Sequence, residues 1–440
     1  METINKKKSI DIYCYFLIFL CVFSFFLGFY FDENSAGAGT YTGDWVHIWK
    51  NIQTFANNDL LTALKYTDSS ESSIYQSSRT PLIYVLNKLF NPFLYDPIVY
   101  RRSIFAISLT TPIIFYFCLK QKFRENYNSL FLLAAFIPLL SPYYRTTAFW
   151  GLEENYGIIF MLLTFLVYNI FMESEHQSDK KNYAQLFLIS FFSSCCLYFD
   201  QKLIIIPLIC FFSIIFSKKI FKLKIYFSFL YFLFSLPYIY MIFLWGALLP
   251  EGDMIKRGIG TQLYFGHIGY ATTIIAFYLL PFLFFRGKKI TDQLIDFFSE
   301  KINYFFIIIF IFYLVYLLIF YNFNDIILGK GFIHKISIVF FDNENLRKIF
   351  TYFSFFISWI IILLFINKKL KNYLIILFFL ILSVVIRPIL QEYFDPLIVI
   401  LAFTFLSGQI YINAKNLTIL YLYLTVLLIS SNIYYFNLLN

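Results

Sequence analysis

Runs of close to 20 apolar residues recur from end to end of this chain, and few charged residues interrupt them. A helix needs about 20 apolar residues to cross the hydrocarbon core of a bilayer. Only helices and closed barrels satisfy their backbone polar groups there. The pattern predicts an all-α polytopic membrane protein. Charged residues fill 14% of the 440 positions and hydrophobic ones 60%, against about 25% charged in soluble domains. About thirteen spans are expected, near 9–31, 98–119, 127–142, 155–171, 183–199, 202–217, 225–249, 268–286, 303–321, 349–367, 372–387, 396–411 and 417–436. Those near 127–142 and 202–217 are short for a crossing.

Basic clusters set the expected orientation. Lys6–Lys8, Lys120/Lys122/Arg124, Lys180/Lys181, Lys218/Lys219/Lys222/Lys224, Arg286/Lys288/Lys289 and Lys368/Lys369/Lys371 fall on alternate loops. All lie on one side if the N-terminus is cytoplasmic. The opposite side then holds segments 32–97, 143–154, 250–267, 322–348 and 387–395. No linker, low-complexity tract or repeat divides the chain, so residues 1–440 are read as one domain, and the first apolar run as a retained span.

The net charge of +9 is spread over short loops, which excludes a nucleic-acid arm and favours anionic lipid headgroups or lipid-linked phosphates. Cys14, Cys21, Cys118, Cys195, Cys196 and Cys210 sit in or beside apolar runs without CxxC spacing or histidine partners. They read as small buried hydrophobes rather than as disulfides or metal ligands. His47, His176, His267 and His334 are scattered, so neither a metal nor a cofactor is expected.

The segment 32–97 is the longest expected outside the spans. Within GDWVHIWKNIQTF (43–55), Trp45, Ile48, Trp49 and Ile52 repeat as i, i+3, i+4, i+7 and form one apolar stripe. His47, Lys50, Asn51 and Thr54 take the other face. The spacing predicts an amphipathic helix over 44–56 lying in the outer leaflet. Asp44 would be its N-cap, and capping alone is an ordinary role for such an acid. Further on, SSRTPLIYVLNKLF (77–90) predicts a second interfacial helix over 81–91. Thr80 could cap it, Pro81 suits its first position, and Leu82, Leu86, Leu89 and Phe90 share a face. Arg101 and Arg102 mark the opening of the second span.

An apolar span, an acid heading an amphipathic helix, a basic residue with a Pro-Leu pair, and arginines opening span two resemble the integral-membrane GT-C glycosyltransferases. That superfamily includes protein O-mannosyltransferases and aminoarabinose transferases. Its acidic and Pro-Pro-Leu-Tyr-like motifs match Asp44-Trp45 and Thr80-Pro81-Leu82-Ile83-Tyr84 here. Trp45 replaces the second acid of the family's Asp-Glu pair, and Asp32-Glu33 supplies such a pair at the end of span one. Asp44 is favoured as the base and Asp32 is its rival. The motif likeness covers residues 32–102 and some later loops. It implies a polyprenyl-phosphate-linked sugar donor, a lipid, glycan or protein acceptor, and chemistry at the outer face of a bacterial inner membrane.

Inverting transfer needs one carboxylate to deprotonate the acceptor and cations to hold the departing phosphate. Arg79, Arg101 and Arg102 are candidates for the second task. In SPYYRTTAFWGLEEN (141–155), Arg145 is a further donor-binding candidate, and Glu153 and Glu154 are further acids. A local Arg–Glu pair is an equal alternative. In YFDQKLIII (198–206), Lys202 sits in a turn whose polar residues any turn would need. In IRPILQEYFDPL (386–397), Arg387 and Tyr393 resemble the family's late donor-phosphate turn. An O-antigen polymerase or ligase is the runner-up enzyme, although such chains carry their large outer loop in the second half. A lipid-oligosaccharide flippase is the non-enzymatic alternative, disfavoured by the lack of repeats and of charge within spans.

Overall fold

The computed structural model describes residues 2–37, 39, 43–68, 77, 79–123, 128–173, 179–247, 263–320, 330–366, 370–385, 388–406 and 410–439. Among them, nine helices are long and apolar enough to cross a membrane. Four of the expected spans are shorter. Asn128–Leu140, Gln201–Ile215 and Lys371–Val385 fall below spanning length, and among the described residues of 396–411 only Leu397–Phe403 is α-helical. Every residue of Leu397–Phe403 is buried. A helix sealed inside protein carries the same apolar composition as one facing lipid, so composition alone does not set the number of crossings. Gly331–Phe340, inside an expected outer segment, is a further short apolar helix.

The chain divides into two compact units, Met1–Lys256 with Leu424–Asn440, and Arg257–Tyr423. No compositional linker marks this division. The first unit opens with α1 (Glu2–Tyr30), α2 (Asp44–Asn57), α3 (Leu60–Lys65), α4 (Leu82–Phe90), α5 (Pro97–Ser108) and α6 (Thr110–Phe123). It continues with α7 (Asn128–Ala135), α8 (Pro142–Trp150), α9 (Glu154–Glu173), α10 (Asp179–Phe199), α11 (Ile205–Ile215) and α12 (Phe221–Trp245). Helix α10 packs between α9 and α12, α9 packs on α6, and α1 packs on α7 and α8.

Both amphipathic helices form, but they bury different kinds of face. The stripe of α2 does not face lipid. Trp45, Ile48, Ile52 and Phe55 are at most 5% exposed, with Trp45 stacked 6.0 Å from Tyr100 and Phe55 5.5 Å from Tyr84. Aromatic surface of this kind is best covered by other aromatic rings when they are available. Asn51, assigned to the polar face, is also buried. Asp44 is the first helical residue rather than the cap. The N-cap is Gly43, which makes no side-chain capping bond.

In α4 the expected apolar face is the open one. Leu89 and Phe90 are 59% and 77% exposed, while Ile83, Tyr84 and Asn87 turn inward. An apolar face left open above a buried polar one suits a membrane interface. The helix begins at Leu82 with Pro81 as N-cap, and Thr80 hydrogen-bonds instead to the Tyr198 carbonyl.

The segment 143–154 is not an open loop. Ser141 Oγ accepts from the Tyr144 N–H at 2.9 Å and starts α8, with Pro142 at its first turn. All nine residues of α8 are buried. Gly151, at φ 68°, ends it in the left-handed conformation that favours glycine, and the chain turns directly into Glu153 and α9.

In the second unit, Gly266–Leu279 is the central helix. Glu344–Ile366, Leu370–Val385, Gly331–Phe340 and Leu397–Phe403 pack around it, and its residues are buried almost throughout.

Candidate functional site

Three segments that the basic-loop pattern assigns to one side of the membrane meet in the first unit. They are the stretch before α4, the α8–α9 corner and the α10–α11 turn. Arg79 Nη1 donates to Glu153 Oε2 at 3.0 Å, and its Nη2 donates to Glu154 Oε1. Tyr84, one turn into α4, donates its hydroxyl to Glu153 Oε1. Asn51 Nδ2 of α2 donates to that hydroxyl oxygen at 3.2 Å. Tyr143 of α8 donates to Glu154 Oε1. The Lys202 ammonium lies 4.5 Å from the Tyr143 ring centroid, 3.4 Å from its hydroxyl and 3.1 Å from Asp200 Oδ2.

Local structure explains the convergence. Glu153 follows the Gly151 turn, and Glu154 opens α9, where the N-terminal dipole favours negative charge. Asp200 ends α10 and accepts from the Lys202 N–H at 3.2 Å, forming the tight turn that presents the lysine. Gly157, one turn into α9, lets this turn come close. A methyl group there would stand 2.6 Å from Leu203 Cδ1.

Among the described residues, three carboxylates, Glu153, Glu154 and Asp200, share two cations, Arg79 and Lys202. The Glu153 and Glu154 side chains are only 1% and 3% exposed, against 24% for Arg79. Burial opposes the Arg79 charge, but Glu154 and Glu153 outweigh it and hold the guanidinium well above its usual range. Burial dominates at Glu153. Together with the Glu154 charge it overcomes Arg79 and the Tyr84 hydrogen bond, and the carboxyl is pushed up to about 7. Glu154 Oε2 is buried without a hydrogen-bond partner. A carboxyl group poised near neutrality beside two cations can take up or release a proton at physiological pH.

Other sequence candidates take different places. Arg145 does not pair with its neighbours Glu153 and Glu154. It grips Glu33 at the end of the first span, Nε to Oε1 at 2.8 Å and Nη2 to Oε2 at 2.6 Å, and also donates to the Ser24 and Leu139 carbonyls. Arg101 binds Asp32 Oδ1 at 2.6 Å and the Phe149 carbonyl at 2.8 Å, with its guanidinium 4.0 Å from the Trp150 ring centroid. Asp32 is half-exposed at φ 53°. These two pairs fasten the end of α1 to α5 and α8. Arg102 is exposed on α5, and Asp44 is exposed at the start of α2. Tyr393 is half-buried in a short 3-10 turn of the second unit, and Arg387 lies outside the described residues.

Asn51 is the partner that sequence reasoning missed, because helical periodicity set it on a solvated face. Glu33 stood next to a noted acid, yet nothing in the sequence links it to a residue 112 positions away. No cluster of three or more histidine, cysteine or acidic side chains able to hold a metal occurs among the described residues. Compared with protein-family models, curated proteins and solved structures, the chain matches none.

Proposed function

We propose that this protein is an inverting glycosyltransferase of the GT-C kind, moving a sugar from a polyprenyl-phosphate donor to an acceptor at the outer face of a bacterial inner membrane. The observation that carries this reading is the Arg79–Glu153–Glu154 cluster, with one carboxyl group held near neutrality and Lys202 alongside. The resemblance in sequence points to Asp44 as base; the charge environment favours Glu153.

In this reading the Glu153 carboxylate takes the proton of the acceptor hydroxyl as that oxygen bonds to the anomeric carbon. The bond from that carbon to the lipid-phosphate oxygen breaks, and the electron pair leaves with the phosphate. Arg79 and Lys202 hold the departing anion. Attack from the face opposite the phosphate inverts the anomeric centre.

The burial of both glutamates favours one second reading. Acids this enclosed, in a chain of many apolar helices, also suit a proton-coupled carrier of lipid-linked sugar. Sugar release from a panel of radiolabelled polyprenyl-phosphate sugars separates the two. The purified protein and its Asp44→Asn variant should both turn over a donor, and Glu153→Gln should not. Loss in Asp44→Asn alone returns the base to Asp44. No turnover of any donor, with proton-dependent lipid flipping in liposomes, replaces the enzyme with the carrier.

A further inference from the structure

Behind Glu153, a buried amide uses one of its ends and leaves the other open. Asn51 is 1% exposed on α2. Its Nδ2 donates to the Tyr84 hydroxyl oxygen at 3.2 Å, and Tyr84 donates in turn to Glu153 Oε1. Asn51 Oδ1 is buried without a hydrogen-bond partner among the described residues. Buried polar atoms are normally satisfied, and each exception asks for a cause. The frame around this amide is firmly held. Phe55, one turn after Asn51, packs on the Tyr84 ring at 5.5 Å. Lys88 of α4 donates to the Phe55 and Asn58 carbonyls at the end of α2, both at 2.7 Å.

The second protonation state of Glu153 gives the open oxygen a use. As a carboxylate, Glu153 accepts on both oxygens, Oε2 from Arg79 at 3.0 Å and Oε1 from Tyr84. A guanidinium has five donors and no acceptor, so a proton arriving on the carboxylate has no place between Oε2 and Arg79. It belongs on Oε1, facing Tyr84. The phenol oxygen must then accept from Glu153, and the phenol proton must turn to another acceptor. Asn51 already touches that hydroxyl, and its carbonyl end is the acceptor required. A half-turn of the amide about its last side-chain bond exchanges its two ends, which differ little in size. The chain then runs in reverse, from Glu153 to Tyr84 and from Tyr84 to Asn51.

The other titratable groups facing Glu153 are Arg79, Glu154 and Tyr100. Tyr143 stands beyond Glu154, and Lys202 with Asp200 beyond Tyr143. These groups set the pH at which the proton arrives. The amide lets it arrive without stranding the phenol.

We infer that Asn51 and Tyr84 form a hydrogen-bond switch that reverses when Glu153 takes up a proton, which makes Asn51 a positioning residue for this carboxyl group in both of its states. No covalent bond changes within the switch. Its part in catalysis rests on Glu153 being the base of the transfer proposed above, whereas the switch itself needs only that Glu153 titrates.

Full-length protein with isotope-labelled asparagine side-chain carbonyls tests this by infrared difference spectroscopy. The Asn51 band is identified by its loss in both Asn51→Asp and Asn51→Leu. As pH falls, this band should move to lower frequency, as a carbonyl does on accepting a hydrogen bond. Its midpoint should coincide with that of the Glu153 carboxylic band. In Tyr84→Phe, Glu153 should still titrate and the Asn51 band should stay fixed. A wild-type Asn51 band that stays fixed while Glu153 titrates would overturn the switch, and so would movement that persists in Tyr84→Phe. Asn51→Leu should lower kcat for donor turnover about twofold to tenfold, and an unchanged kcat would overturn the positioning role. A moving Asn51 band in a protein that turns over no donor keeps the switch and removes the transferase.

Discussion

Two arginines in the first unit, Arg145 buried and Arg79 half-buried, are paired differently. Arg145 holds one acid, Glu33, through two parallel hydrogen bonds. Arg79 is divided between two acids on adjacent residues. With one cation per carboxylate the charge is satisfied, and the pair behaves as a rivet between α1 and α8. Glu153 is buried, and Arg79 and Lys202 are shared among it, Glu154 and Asp200, so its charge is poorly supported and it keeps its proton up to about pH 7. Pairing ratio therefore separates a fastening from a site that can move protons.

The sharpest test of the rivet is Arg145→Ala. It strands Glu33, whose side chain is 12% exposed, and breaking a buried pair from one side costs about 3–5 kcal/mol. Loss of monodisperse protein in detergent is the expected result. A variant that purifies normally with an unchanged Tm would erase the distinction between the two arginines. Next in size is Glu153→Gln, where donor turnover should fall by about 10²–10⁴. Its Tm at pH 8 should hold or rise, because the amide removes a buried charge that is only partly compensated.

A smaller effect is a pH dependence of opposite sign to that of an ordinary salt-bridged acid. The folded-state pKa of Glu153, about 7, lies above its usual value of 4.5. Between these values the folded protein keeps a proton that the unfolded chain has released. The contribution of Glu153 to stability is therefore full below pH 4.5 and falls as pH rises to 7, by an amount on the order of 1–3 kcal/mol. Thermal melts of the wild type and Glu153→Gln across this window should diverge accordingly. Parallel curves would show that Arg79 satisfies both glutamates. The least effect is expected from Asp44→Asn, which removes an exposed charge at a helix start worth about 0.3–1 kcal/mol. Turnover should change by less than severalfold.

The same contrast marks what could be read without a structure. Charged residues standing alone between apolar runs were visible as candidates, and Arg79, Glu153, Glu154 and Lys202 do come together. The apolar stripes of α2 and α4 were equally legible as periodicity. What covers each stripe was not: Trp45 meets Tyr100, and Phe90 lies open. Pairing was hidden as well. Arg145 stands eight and nine positions from two glutamates and binds neither, because the Ser141 cap and the Gly151 turn wind the intervening residues into a buried helix. Crossing number was legible in part: nine of the expected spans are helices of spanning length among the described residues, and apolar composition does not separate these from a short buried helix such as Leu397–Phe403.

The central claim is that Glu153 stays protonated to near neutral pH, and infrared difference spectroscopy observes that proton directly. The carboxylic carbonyl band that disappears in Glu153→Gln would be followed while the pH of the wild-type protein is raised. Half the band should remain near pH 7. A band that titrates away around pH 4.5, as an ordinary glutamate does, would remove the raised carboxyl on which the choice of Glu153 over Asp44 rests.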